Sequence, residues 1–214
     1  MKPKFTLQKV ENASEAQINE SVQLFYDLMH TDLAAISLSG GDLSLLKLQS
    51  AAMLRAGALA GEYYTAINEN GEIVGYTLWM PPGQELFSTD EQRALGLTEF
   101  MERLSDEGKE YFKTQYLVHF VEFVNSHLGP TGKKDAWWLH MAMVRPDYQG
   151  QGVLRTLFEL VHSKAGDTLA CTTTNAKNVP IYLALGFTHR GTKVMPSPWG
   201  DWTAYLFSLD LRNI

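Results

Sequence analysis

The run Trp-Trp-Leu-His-Met-Ala-Met-Val at 137–144 is almost continuously apolar, preceded by Gly129-Pro130-Thr131-Gly132 and followed by Pro146-Asp147. A strand with no polar side must be covered on both faces, so this run predicts the centre of a sheet layered between helices. After it, Gln149-Gly150-Gln151-Gly152 leads into helical spacing over about 152–165. A strand at 168–173, a short helix at about 178–185 and closing strands at 187–194 and 203–209 complete that half. Strands alternating with helices give an α/β class.

The first half predicts a strand at 5–10, then a helix opened by a capping box, Ser14 with Gln17, and carried by Ile18, Val22, Phe25 and Met29. A second helical tract runs from Asp42 to Gly61. The period then changes to two: strands at 63–68 and 72–79 flank Asn70-Gly71, a strong signal for a tight primed turn. Pro81-Pro82-Gly83 closes this hairpin. The next stretch, about 84–130, reads as a helical insertion, with Thr89 and Gln92 as a second capping box, one helix to about Leu104 and a longer one through Tyr111, Leu117, Phe120 and Val124 to Leu128. No linker divides the chain, so residues 1–214 are expected to form one domain.

Composition narrows the function. With 45% hydrophobic residues the chain is no disordered segment, and its net charge of −6, without a polybasic segment, argues against a nucleic-acid partner. One cysteine, Cys171, cannot form an intramolecular disulfide. No signal-peptide pattern and no run of eighteen apolar residues is found, so neither secretion nor a membrane partner is expected, and the expected location is cytoplasmic. No histidine spacing suggests a metal.

The glycine loop after the central strand carries the chemistry. A strand-to-helix junction directs unpaired backbone amides and the positive end of a helix dipole at one point, where a pyrophosphate is held without basic side chains. Glycine permits the close approach. There is no Gly-Lys-Ser/Thr for a P-loop, nor the Gly-x-Gly-x-x-Gly context of a dinucleotide fold. Downstream, Asn178-Val179-Pro180-Ile181-Tyr182 precedes Gly186-Phe187; Asn178 suits a helix cap, Gly186 a left-handed stop, and Asn178 and Tyr182 share a helix face.

Taken in order, these segments resemble the GNAT superfamily of acyl-CoA-dependent N-acetyltransferases, whose pattern of Gln or Arg, two residues, Gly, one residue, and Gly or Ala is met by Gln149, Gly152 and, as a departure, Leu154. Within it, Trp79 before Pro81, the helical insertion, Ala136-Trp137 and Asn178-x-Pro180-x-Tyr182 are most similar to puromycin N-acetyltransferase-like proteins. The resemblance implies a mixed, mostly antiparallel twisted sheet flanked by helices, with the insertion ahead of the central strand. It also implies direct acetyl transfer from acetyl-CoA to a small-molecule amine in a ternary complex, by a monomer or homodimer.

By the same resemblance, the backbone of Met143 and Val144 would pair with the pantetheine arm. Gln149, Gly150, Gln151, Gly152, Val153, Leu154, Arg155 and Asn178 would hold the rest of the cofactor, and an amide near Val144 would stabilise developing negative charge. Tyr182 would protonate the departing thiolate. His140, four residues before Val144 and so expected on its face, is the candidate base, and serotonin N-acetyltransferase has a histidine at the matching position. Phe25, Met29, Trp79, Trp199 and Trp202 are candidates for the acceptor pocket, or core residues. A catalytically weak acyl-CoA-binding module stays open as the alternative.

Overall fold

The computed structural model describes residues 5–162 and 168–211. Seven strands form one sheet in the order β1-β2-β3-β4-β5-β7-β6: β1 (Phe5–Lys9), β2 (Glu62–Asn68), β3 (Ile73–Met80), β4 (Trp137–Val144), β5 (Thr168–Thr173), β6 (Thr188–Met195) and β7 (Trp202–Asp210). Every neighbouring pair is antiparallel except β4–β5. The central position of β4 and its coverage on both sides are as its apolar run requires.

Helix α9 (Val153–His162) covers one face. It buries Val153, Leu157, Phe158 and Val161 against Tyr64, Trp79, Leu139, Leu169, Cys171 and Phe207. On the opposite face, α1 (Glu15–Met29) and α3 (Leu46–Ala60) pack over Tyr63, Tyr76, Leu78 and Met141. Beside them, α2 (Leu33–Leu38) and α7 (Leu117–Leu128) cover Trp138, Ala170, Trp202 and Leu206. The reciprocal Ser14–Gln17 capping box opens α1. The expected end of α9 near 165 lies outside the described residues. No helix among the described residues is long and apolar enough to cross a membrane.

Four local expectations are corrected. Of Asn70-Gly71 only Gly71 has positive φ, +84°; the Asn68 carboxamide oxygen accepts from the Asn70 and Glu72 amides, so the loop is wider than a two-residue primed turn. The helix expected to reach Leu104 is two, α4 (Asp90–Ala94) and α5 (Leu97–Arg103), broken at Gly96, where φ is +133° and a Cβ would stand 3.1 Å from that of Ala52. The second capping box is half made: Thr89 caps Gln92, but the Gln92 oxygen accepts from Phe87 N–H instead. Helix α2 was not expected; Asp32 caps it, accepting from the amides of Ala34 and Ala35.

The long insertion helix contains a π-turn, Phe112–Tyr116, between α6 (Asp106–Tyr111) and α7. Five residues apart, Tyr111 and Tyr116 would diverge on a regular helix. The extra residue in this turn brings both to Trp202: Tyr111 Oη accepts from the indole N–H at 3.0 Å, and the Tyr116 ring lies 6.3 Å from it. The insertion is thereby fastened to β7.

Candidate active site

Strands β4 and β5 pair through only three positions, Trp137, Trp138 and Leu139 with Leu169, Ala170 and Cys171. Beyond them β4 stays with β3, and β5 stays with β7, so an opening runs from Leu139 and Cys171 toward the carboxyl ends of both strands. Opposite Leu78 and Trp79 the register shifts by one, leaving His140 as an extra residue on β4.

This bulge decides which backbone groups face the opening. The Arg145 amide donates to the Val74 carbonyl at 2.9 Å, and alternation then directs Met143 toward Tyr76 of β3. Ala142 and Val144 face the opening, while Met143, assigned to it by the resemblance, faces β3. The Val144 carbonyl already accepts from the Gln149 carboxamide at 3.0 Å, leaving its N–H as the group presented. The bulge also defeats the spacing argument for His140. Counted up from Leu139 or down from Val144, both packed on the α9 face, alternation gives opposite sides for it.

At the carboxyl end of β4, a short turn (Pro146–Tyr148) leads to Gly150 and Gly152, with φ of +71° and +87°, and then to α9. Both glycines face open space: a Cβ on either would meet nothing within 4 Å. Among the described residues, the amides of Gly150, Gln151, Gly152, Val153, Leu154 and Arg155 have no hydrogen-bond acceptor, while that of Thr156 begins the helical ladder. Leu154 is compatible with this cradle, because its side chain packs at the edge of the α9 core. The side chains of Gln151 and Arg155 brace the loop, donating to the carbonyls of Asp147 (2.5 Å) and Ala184 (3.1 Å).

Across the opening, Asn178 stands at the N-cap position of α10 (Val179–Ala184) but makes no side-chain capping bond; its carboxamide donates to Thr173 Oγ1 of β5 at 3.0 Å, and Asn175 caps the preceding turn. Asn178 thus anchors α10, which carries Tyr182, to the free end of β5. Tyr182 is 6% exposed, stacked on Phe207 at 5.1 Å. Its hydroxyl lies beside the Cys171 thiol, at the last β4–β5 pair. Burial, with Cys171 beside it, holds the phenol well above its ordinary pKa, and burial pushes the Cys171 thiol up as well.

His140 is pushed down to about 3, first by burial and then by the Lys133 ammonium. Among the described residues its ring has no hydrogen-bond partner. Unfolded, it protonates near 6.5; folded, only near 3. Between these values the unfolded chain binds more protons, so the contribution is full above 6.5 and lost as pH falls toward 3. His140→Gln should therefore flatten the decline in urea-unfolding stability between pH 7 and pH 4.5. Parallel wild-type and variant curves would show that His140 does not titrate differently on folding.

The candidate pocket residues separate. Phe25 packs in the cluster that holds Met141 and Met143 of β4, and Met29 is half-buried one turn on. Trp199 is half-buried, edge-on to Tyr111 at 5.6 Å and pressed on Gly41. Two are corrected to core. Trp79 is 0% exposed, 5.1 Å from the Phe158 ring on the α9 face, and Trp202 is buried with its N–H taken by Tyr111. Two residues were missed. Asp32 accepts from the Thr174 hydroxyl at 2.8 Å, holding the α1–α2 corner to the end of β5; its helix-cap position was the available signal. Lys133 has its ammonium over the Trp138 ring, 5.5 Å from the centroid, and nothing in the sequence marked it.

The acetyltransferase (GNAT) family model matches residues 45–187, which include the opening, the glycine loop and Tyr182. No curated protein matches the chain. Among solved structures it is similar to arylalkylamine N-acetyltransferase 2 from Aedes aegypti, with a TM-score of 0.63 at 14% identity over 97% of this chain and 99% of that one. Drosophila melanogaster polyamine N-acetyltransferase gives 0.60 at 12% over 97% and 100%. Salmonella typhimurium yncA, solved with its cofactor acetyl-CoA, gives 0.55 at 16% over 97% and 94%. At these identities the structures speak for the fold; with a family model over two-thirds of the sequence, and the parted central strands beside a row of free amides, the chain belongs to the GNAT family of acetyltransferases.

Proposed function

We propose that this protein is a single-domain, acetyl-CoA-dependent N-acetyltransferase that acetylates a small-molecule amine by direct attack in a ternary complex. The observation that carries the reading is the opening between β4 and β5, flanked by six amides without acceptors among the described residues. The residues present fit the cofactor: Gly150 and Gly152 leave a cradle that any Cβ would fill, the α9 dipole adds positive character, and the Val144 N–H lies along the route of an extended arm. When bound, acetyl-CoA supplies an activated acetyl thioester and a thiol leaving group.

The chain's own groups then have distinct tasks. The amides of Gly150 to Arg155 bind the pyrophosphate, and the Val144 N–H is a fixed donor for developing negative charge. Tyr182 holds a proton on Oη at the head of the opening. The Cys171 thiol is pushed up in the same surroundings, so sulfur here favours its protonated state, and a phenol proton is well placed for it. His140 is neutral at cellular pH and accepts a hydrogen bond from an arriving amine. Its weak basicity assigns final proton removal to water at the opening.

That weak basicity is also the one observation favouring a CoA-binding module with little turnover. Thiol release from acetyl-CoA separates the readings. Release that depends on added amine, with N-acetylated product by mass spectrometry, is expected; CoA binding without release for any amine across a broad panel would leave the module.

A further inference from the structure

The turn that ends β4 is held from outside by side chains to which the proposed reaction gives no task. Arg145 Nε and Nη2 donate to the two Asp147 carboxylate oxygens at 2.8 and 2.9 Å, a bidentate clamp across Pro146, and Arg145 Nη1 donates to Glu72 Oε2 at 3.2 Å. Every guanidinium nitrogen is thus engaged. The guanidinium also lies over the Tyr148 ring, 4.7 Å from its centroid, so Arg145 holds both Asp147 and Tyr148 of the turn.

The same network ties this turn to the hairpin between β2 and β3. The Asn68 carboxamide, whose oxygen closes that hairpin, donates to Glu72 Oε2 at 2.7 Å and to Tyr148 Oη at 3.4 Å. Glu72 therefore stands between Asn68 and Arg145, and Arg145 between Glu72 and Asp147. From Asp147 the contacts reach the glycine loop itself, because its carbonyl accepts from the Gln151 carboxamide at 2.5 Å.

Conformational freedom and charge set the role of this network. Gly150 and Gly152, at φ of +71° and +87°, belong to the residue type with the widest backbone freedom, and the amides around them grip an anion only when they converge. Ordering left to the moment of binding weakens it, and anchorage to β2 and β3 supplies that order beforehand. The network also brings two carboxylates and one guanidinium, a net negative set, to the edge of a proposed anion site. Hydrogen bonding by Arg145 holds Asp147 below the ordinary carboxylate range, and hydrogen bonding by Asn68 and then Arg145 does the same for Glu72, so both are ionised. Attraction of phosphate therefore does not account for these residues. Nor does global stability: Arg145, Glu72 and Asp147 side chains are 31%, 51% and 60% exposed, where ion pairs add little to folding.

We propose that Arg145, clamped by Asp147 and Glu72, is a brace that presets the pyrophosphate loop, which makes it a positioning residue for CoA with no part in the chemical step. This rests on the proposed acetyltransferase reading and adds residues outside the cradle to it. The brace has a signature in the sign of one effect. Beside a phosphate site, electrostatics alone has an isosteric amide in place of a carboxylate tighten CoA. A brace has the same change weaken it, because the guanidinium loses a partner that orients it.

Calorimetric titration with CoA reads that sign on wild type, Glu72→Gln, Asp147→Asn, Arg145→Met and Arg145→Lys, with thermal unfolding and steady-state kinetics on the same preparations. Glu72→Gln and Asp147→Asn are each expected to raise Kd about two- to threefold, and Arg145→Met about five- to tenfold, through lost preorganisation. Arg145→Lys should recover little of that loss, since an ammonium keeps the charge without the bidentate fork. KM for acetyl-CoA should rise in step, with kcat at saturation within about twofold and Tm within about 3 °C of wild type. Carboxamide variants that bind CoA as tightly as wild type or more tightly, or an Arg145→Lys protein with wild-type affinity, overturn the brace in favour of simple charge. A Tm that falls further than that alongside the affinity overturns it in favour of a stability role. Wild type that binds no CoA removes the acetyltransferase reading; wild-type binding with unaltered variants leaves that reading standing and removes the brace alone.

Discussion

Tyr182→Phe should lower turnover by about two orders of magnitude or more while leaving CoA affinity within a few-fold. A positioned general acid contributes roughly 10²–10⁴-fold, and Tyr182 stands at the head of the opening beside Cys171, whose own proton is held by burial. The change removes one oxygen and keeps the ring that packs against Phe158, Phe187 and Phe207. Folding should be nearly unaffected, since the polar neighbour left behind is a thiol, a weak hydrogen-bonding group. Steady-state thiol release with thermal unfolding as control checks this. Full turnover in the variant would remove Tyr182 as the acid.

The second large effect concerns stability. Trp79 is fully buried between β3 and α9, so Trp79→Ala should cost about 3–5 kcal/mol, the range for deleting a large buried aromatic. For a chain of this size that corresponds to roughly 6–20 °C in Tm. Trp79→Phe should cost much less. The indole N–H of Trp79 is buried without a partner among the described residues, and phenylalanine removes that unmet donor along with part of the volume. An acceptor-pocket tryptophan would behave differently, with little change in Tm and a large rise in amine KM for both variants. Thermal unfolding with amine KM distinguishes the two roles.

The contrast between Trp79 and the loop at 149–155 marks where sequence reading succeeds. The bounds of β4 and β5 were legible because apolar runs end at proline, glycine and polar residues, and the glycine loop followed because its chemistry is local. Features that depend on a neighbouring element were not. The bulge at His140 exists only relative to the register of β3, and it redirects both the histidine and the choice between Met143 and Ala142. Trp79, at the end of its strand before a proline pair, was a candidate for the acceptor pocket or the core; α9, seventy-odd residues later, buries it. Gly96 breaks a well-patterned helix because α3 passes close by, and Asn178, at the cap position, spends its side chain on Thr173 of the adjacent strand.

Calorimetric titration of the protein with CoA, wild type against Gly152→Val, tests the central claim most directly. At φ of +87° with open space beyond it, a valine at 152 both strains the loop by about 1–2 kcal/mol and places methyl groups where the phosphates would lie, while touching nothing in the protein itself. Saturable wild-type binding at one site per chain, weakened at least tenfold in the variant, is the result expected. A wild-type protein that releases no heat and binds no CoA, or a variant that binds as tightly as wild type, would contradict a cofactor site at the parting of β4 and β5.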